Sequence, residues 1–168
     1  MKNKNHLCSA LLLGLAFAAG PALAEVERLS PKDKHPVDVS GRKRTGVASF
    51  YGKEFHGRKM ADGGKMNPHG NNAASRTLPL GTTAKVTNLE TGQAAVVTIR
   101  DRGPYVKGRI VDLSPATARA VGITPQDGLA PVEVTPILIP MPDGSVKRGA
   151  GAKGDPRGNL TPEATPGS

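Results

Sequence analysis

Within the run TIRDRGPYVKGRIVDLS, residues 98–114, a single carboxylate, Asp101, stands between Arg100 and Arg102 and four residues before Tyr105. Residues 95–99 are apolar and largely β-branched and read as a strand. Gly103-Pro104 ends its pairing, because proline has no N–H to donate and glycine accepts unusual dihedrals. Asp101 therefore falls where a rigid strand meets a tight turn, a place where a polar group is both fixed and reachable. A carboxyl held there can act as a general acid or as a bonding partner for a ligand. Strict strand alternation predicts that Arg100 and Arg102 project to the face opposite Asp101. A bend that brings either guanidinium beside the carboxyl would lower its pKa and favour the anion over the acid.

The elements that must position this residue are short. Residues 45–51 read as a first strand, and residues 52–72 as a long glycine-rich loop. About twenty irregular residues inside a compact domain point to function. A brief strand is expected over 73–76 and an alternating strand over 82–89. A Glu-Thr-Gly-Gln turn then leads back through 94–100 as an antiparallel partner. After a strand over 109–113, Ser114 is a good N-cap, Pro115 suits the first helical position and Gly122 can close the C-terminus, so 116–121 is a short helix. Residues 131–139 form the last strand. Several short strands, one helix and glycine-rich connections describe a small all-β barrel.

Composition sets the surroundings. Lys2 and Lys4, the apolar run 7–19 and the Ala22-Leu23-Ala24 site before Glu25 have the layout of a secretory signal. The run is too short to span a bilayer, so no stable membrane insertion is expected. The one cysteine, Cys8, lies within that signal without the small residues that a lipid-attachment site needs. The expected product is a periplasmic protein without lipid anchor or disulfides. The formal charge is +9, about +7 without the signal, which favours an anionic partner such as an acidic wall polymer. Export argues against nucleic acid. With 3% aromatic residues and no tryptophan, broad stacking platforms are not expected. The domains expected are a signal peptide at 1–24, a linker at 25–44, the barrel at 45–140 and a flexible, disordered tail at 141–168.

Three stretches carry a resemblance: GVASFYGKEFHGRKMADG, AASRTLPLGTTAKVTNLETGQ and VVTIRDRGPYVKGRIVDLSPATARAVG. In this order, over about residues 46–134, they resemble the rare lipoprotein A (RlpA) family. The resemblance implies a six-stranded double-psi β-barrel related to barwin and the expansins. It also implies an endolytic transglycosylase that cleaves peptidoglycan glycan strands, preferably those lacking stem peptides. An acid protonates the glycosidic oxygen and the muramic 6-hydroxyl closes an anhydro ring. The family's aspartate falls on Asp101. Its glutamate falls on Gly64 and its histidine on Ser75, so two of three functional positions differ here. The other reading implied is an expansin-like, non-catalytic glycan-binding module.

The site residues expected are therefore Asp101 as the catalytic carboxyl, with Arg76, Arg102, Ser75, Asp62 and Tyr105 toward the glycan. Arg76 and Arg102 can pair with acetamido or carboxylate groups. Asp62 is the nearest replacement for the missing glutamate, although an Asp before Gly63-Gly64 also suits a simple turn. Ser75 can bond a sugar but has no histidine to activate it. Asp112 is read as support for the helix start or for an arginine. His56 and His69 lack the companion ligands of a metal site, and neither metal nor cofactor is expected. A monomer acting on glycan strands is the assembly expected.

Overall fold

The computed structural model describes residues 36–153. The expected signal (1–24), the first part of the linker and the end of the tail lie outside these residues. Seven strands form in chain order. They are β1 (Arg44–Phe50), β2 (Asn72–Ala74), β3 (Thr83–Asn88), β4 (Ala94–Asp101), β5 (Arg109–Leu113), β6 (Ala130–Pro140) and β7 (Val146–Arg148), with helix α1 (Pro115–Ala120) between β5 and β6. Their order in the sheet is β1-β5-β2-β4-β3-β6-β7, and β6 also pairs with β1. The first six strands thus close into a barrel. Two of its pairings are parallel, β1 with β5 and β2 with β4, and the others are antiparallel. This is the six-stranded, mixed, one-helix barrel that the resemblance implies.

Closure follows from alternation. Val97 and Ile99 of β4, Ala84 and Val86 of β3, Val111 and Leu113 of β5, and Val132 and Val134 of β6 all turn inward and are buried. Small β-branched residues suit so narrow an interior, and the one aromatic ring packed against this core, Phe50, is only partly buried. Ala118, Val121 and Ile123 close one end. Helix α1 sits there because both its ends are built. The Ser114 hydroxyl accepts from the Thr117 N–H at 3.1 Å. At the other end Gly122 takes φ +77°, so that its N–H reaches the Arg119 carbonyl while the Ile123 N–H reaches that of Ala118. That is a Schellman ending, and the positive φ is what calls for glycine.

Three expectations change. Residues 52–72 are ordered: a 3-10 turn at Lys53–Phe55 is followed by a small antiparallel excursion pinned by a Lys59–Lys65 bridge, with its tip at residues 61–64. Met60 and Met66 of this excursion pack with Tyr51 and Ala74 into a second apolar cluster outside the barrel. Residues 141–153, expected as tail, continue as a hairpin. The Asp143 carboxylate accepts from the Ser145 N–H, β7 returns along β6, and the Ala150 N–H donates to the Gly41 carbonyl. Residues 36–43, expected as linker, are tied down by the Asp38 N–H to the Thr77 carbonyl at 2.7 Å and by the Asp38–Arg44 ion pair.

Candidate functional site

Ala74 is the pivot of the site. In the β2–β4 register it lies opposite Asp101, and in the β2–β5 register opposite Asp112; Asp112 in turn lies opposite Ser49 of β1. Residues in register share a face of the sheet, so Ser49, Asp112, Ala74 and Asp101 form one row across four strands. Their neighbours Ala48, Val111, Leu113, Ala73 and Ile99 point into the core, which puts the row on the outer face. At about 4.8 Å per strand, the two aspartate backbones stand roughly 10 Å apart.

Asp101 reaches this face through an irregularity. Ile99 pairs with Ala73, yet Asp101, two residues on, pairs with the very next residue, Ala74. Arg100 is the extra residue of a β-bulge, and the bulge turns Asp101 outward where alternation would have sent it inward with Ile99. The same bulge corrects the expected placing of Arg100. Its guanidinium reaches Asp62 at 2.6 Å, on the turn whose Ala61 N–H binds Asp101.

The Asp101 carboxylate is held by three donors. Oδ1 accepts from the backbone N–H groups of Ala61 (3.0 Å) and Arg102 (2.8 Å), and Oδ2 from the Tyr51 hydroxyl (3.1 Å). Tyr51 is buried, and its burial, with the nearby Asp101 and Asp112 charges, pushes its pKa well above the ordinary value. The hydroxyl therefore keeps its proton and acts as a donor to Oδ2. Asp112 Oδ1 accepts from the Ser49 hydroxyl and from Arg109 Nη2 at 2.5 Å, and Arg109 also contacts Ser49. The Asp112 side chain is only 16% exposed, so this ion pair is largely shielded from solvent.

The other expected residues divide. Asp62 makes a turn: Oδ1 accepts from the Gly64 N–H, and Oδ2 pairs with Arg100. Partial burial pushes its pKa up, but the bonds from Arg100 and Gly64 outweigh that and hold it below the usual carboxylate range. A carboxyl so held is a poor proton donor, so Asp62 does not replace the missing glutamate as an acid. Ser75 is buried, and its hydroxyl accepts from the Leu78 N–H, which corrects the expectation that it faces sugar. Arg102 Nη1 donates to the carbonyls of Ser75 and Leu78, clamping that turn to the end of β4. Arg76 lines a cleft of about 50 Å³ with Arg42, Arg44 and Ile110. Tyr105 is 60% exposed, on the loop beyond Gly103.

Tyr51 and Ser49 escaped sequence reasoning, because their partners Asp101 and Asp112 lie fifty and sixty-three positions on. Asp112 supports an arginine, Arg109, as expected. It alternates with buried Val111 and Leu113, so the pattern does turn it outward, but its distance in sequence from Ser49 hid that contact.

A mixed six-stranded barrel carrying two carboxylates on one outer face defines the class of protein. The family profile described as "Lytic transglycolase" matches residues 43–134, more than half of the chain. The chain belongs to this family, in its RlpA branch. A probable endolytic peptidoglycan transglycosylase RlpA of Synechocystis is 48% identical over 114 residues, covering 67% of this chain and 35% of that protein. The RlpA endolytic peptidoglycan transglycosylase of Pasteurella multocida is 47% identical over 98 residues, covering 58% and 33%. The chain thus spans about a third of the length of these relatives. Among solved structures, an apo expansin of Clavibacter michiganensis aligns with TM-score 0.44 and 20% identity, over 57% of this chain and 50% of that one.

Proposed function

We propose that this protein is an endolytic transglycosylase of peptidoglycan glycan strands, with Asp101 as its acid and base. The observation that carries the reading is the row that sets Asp101 and Asp112 on one outer face, bonded to different partners. Oδ1 of Asp101 is occupied by two backbone donors, which leaves Oδ2, reached only by the rotatable Tyr51 hydroxyl, as the oxygen that can serve the glycan. In the acid form of Asp101 a proton on Oδ2 passes to the leaving glycosidic oxygen as its bond to C1 breaks. The muramic 6-hydroxyl then attacks C1, and its proton returns to Oδ2, so no water is consumed. Asp112, oriented by Arg109 and Ser49, stabilises the positive charge that develops at the sugar; carboxyl pairs work on glycosides at roughly 5–10 Å. The names of the relatives support this substrate class. The signal-like segment at 1–24 supports export and action in the periplasm, and among the described residues no helix is long and apolar enough to cross a membrane. The acting unit is a monomer with no nucleic-acid partner.

A specific observation favours a second reading, a non-catalytic glycan-binding module. Gly64 stands where the family has its glutamate, and Arg100 occupies the adjoining space. One experiment separates the two. The protein without residues 1–24 is incubated with stem-peptide-free peptidoglycan and the released fragments are weighed by mass spectrometry, beside an Asp101→Asn control. Anhydro-ended fragments that vanish in the control support the enzyme. No release, with protein still sedimenting on the strands, supports the binding module.

A further inference from the structure

Tyr51, whose hydroxyl binds Asp101, also lines a cavity of about 390 Å³. That is within the range of sites that take a small ligand group. Its wall is apolar, built from Phe50, Tyr51, Pro68 and Ile123. Its polar lining is of one sign: Lys53 and Arg119, with the imidazoles of His56 and His69, and no aspartate or glutamate. Neither Lys53 nor Arg119 belongs to any of the four ion pairs among the described residues, and both are exposed. The Glu54 carboxylate lies against Gly52 but pairs with neither cation, so an apolar wall under a cationic rim suits a ligand group that is itself part apolar and part anionic.

We propose that this cavity is a subsite for the lactyl carboxylate of a muramic acid residue, with the lactyl and acetamido methyl groups against the wall and the carboxylate at Lys53 and Arg119. The inference rests on the glycan-strand reading above. Within such a strand only the muramic sugar carries this group, and attachment of a stem peptide turns its carboxylate into a neutral amide. The subsite would therefore recognise bare strands directly, through a charge that the peptide removes.

The test uses the Asp101→Asn protein, which binds without turnover, in calorimetric titration with three probes. These are an alternating N-acetylglucosamine–N-acetylmuramic acid tetrasaccharide, the same tetrasaccharide carrying stem peptides, and a chitin tetrasaccharide, which has no carboxylate. The bare muramic probe is expected to bind about tenfold tighter than either of the others, the worth of one charge-assisted contact. Adding Lys53→Glu and Arg119→Glu, with the fold checked by amide spectrum, should abolish that preference while leaving chitin binding unchanged. Equal affinity for the three probes, or a preference that survives charge reversal in a folded protein, overturns the subsite alone. No binding of any probe overturns the glycan reading and the subsite with it.

Discussion

Arg100 fills the space into which a side chain at position 64 would project: a Cβ placed on Gly64 would lie 2.4 Å from its Nη2. The obstacle is the end of a flexible side chain, so it can move. Gly64→Glu should displace Arg100 from Asp62, and the Asp62 pKa should climb back toward its ordinary 3.8, read by carboxyl NMR titration. The same carboxyl contributes to acid stability. Its folded pKa lies below the unfolded one, so its contribution is present above pH 3.8 and is lost as pH falls through the depressed value. Asp38 behaves alike, so unfolding midpoints in urea should fall below about pH 4, and Asp62→Asn should flatten part of that fall. In turnover, Asp101→Asn should cost about 10²–10⁴ in rate, the usual worth of a positioned acid. Tyr51→Phe removes one of three donors and should cost about tenfold in the same assay of fragment release. Little of this was legible beforehand. Asp101 could be found from its own neighbours, but Tyr51 meets Asp101, and Ser49 meets Asp112, fifty and sixty-three positions further along the chain.

Most of the elements could be read because their signals are local. The strands over 83–88, 94–101 and 109–113 alternate cleanly, and α1 begins and ends at the residues its caps demand. Ser114→Ala should lower stability by about 1 kcal/mol, measured by urea denaturation. Gly122→Ala should cost about 1–2 kcal/mol from the left-handed backbone alone. It would also press against Gln93 Oε1, 2.9 Å from the added methyl. The bulge at Arg100 was not legible, because one unpaired residue leaves no trace in a hydropathy pattern. Its partner strand, β2, shows too little alternation in three residues to fix a register. The hairpin over 141–148 was hidden by composition. Pro142, Asp143 and Gly144 look like the start of a tail, but Asp-Gly before a Ser-Val-Lys-Arg run is also how a chain turns back on the strand it has just left.

At the scale of the whole molecule, the formal charge of +9, about +7 without residues 1–24, should make attachment to an anionic wall fall steeply with ionic strength. Sedimentation with purified walls at 0.05 and 0.5 M salt is the check, and binding indifferent to salt would point to contacts made by shape alone. A last consequence belongs to β6, the eleven-residue strand that touches β3, β1 and β7. Because β6 returns to β1, every strand of the barrel has a neighbour on both sides. Among the described residues, the edge strand of the sheet is β7, which is three residues long. It reads Val-Lys-Arg, with two positive charges set where another sheet would have to dock. Short, charged edges discourage such docking. Many copies can therefore stand close together without templating one another into fibrils.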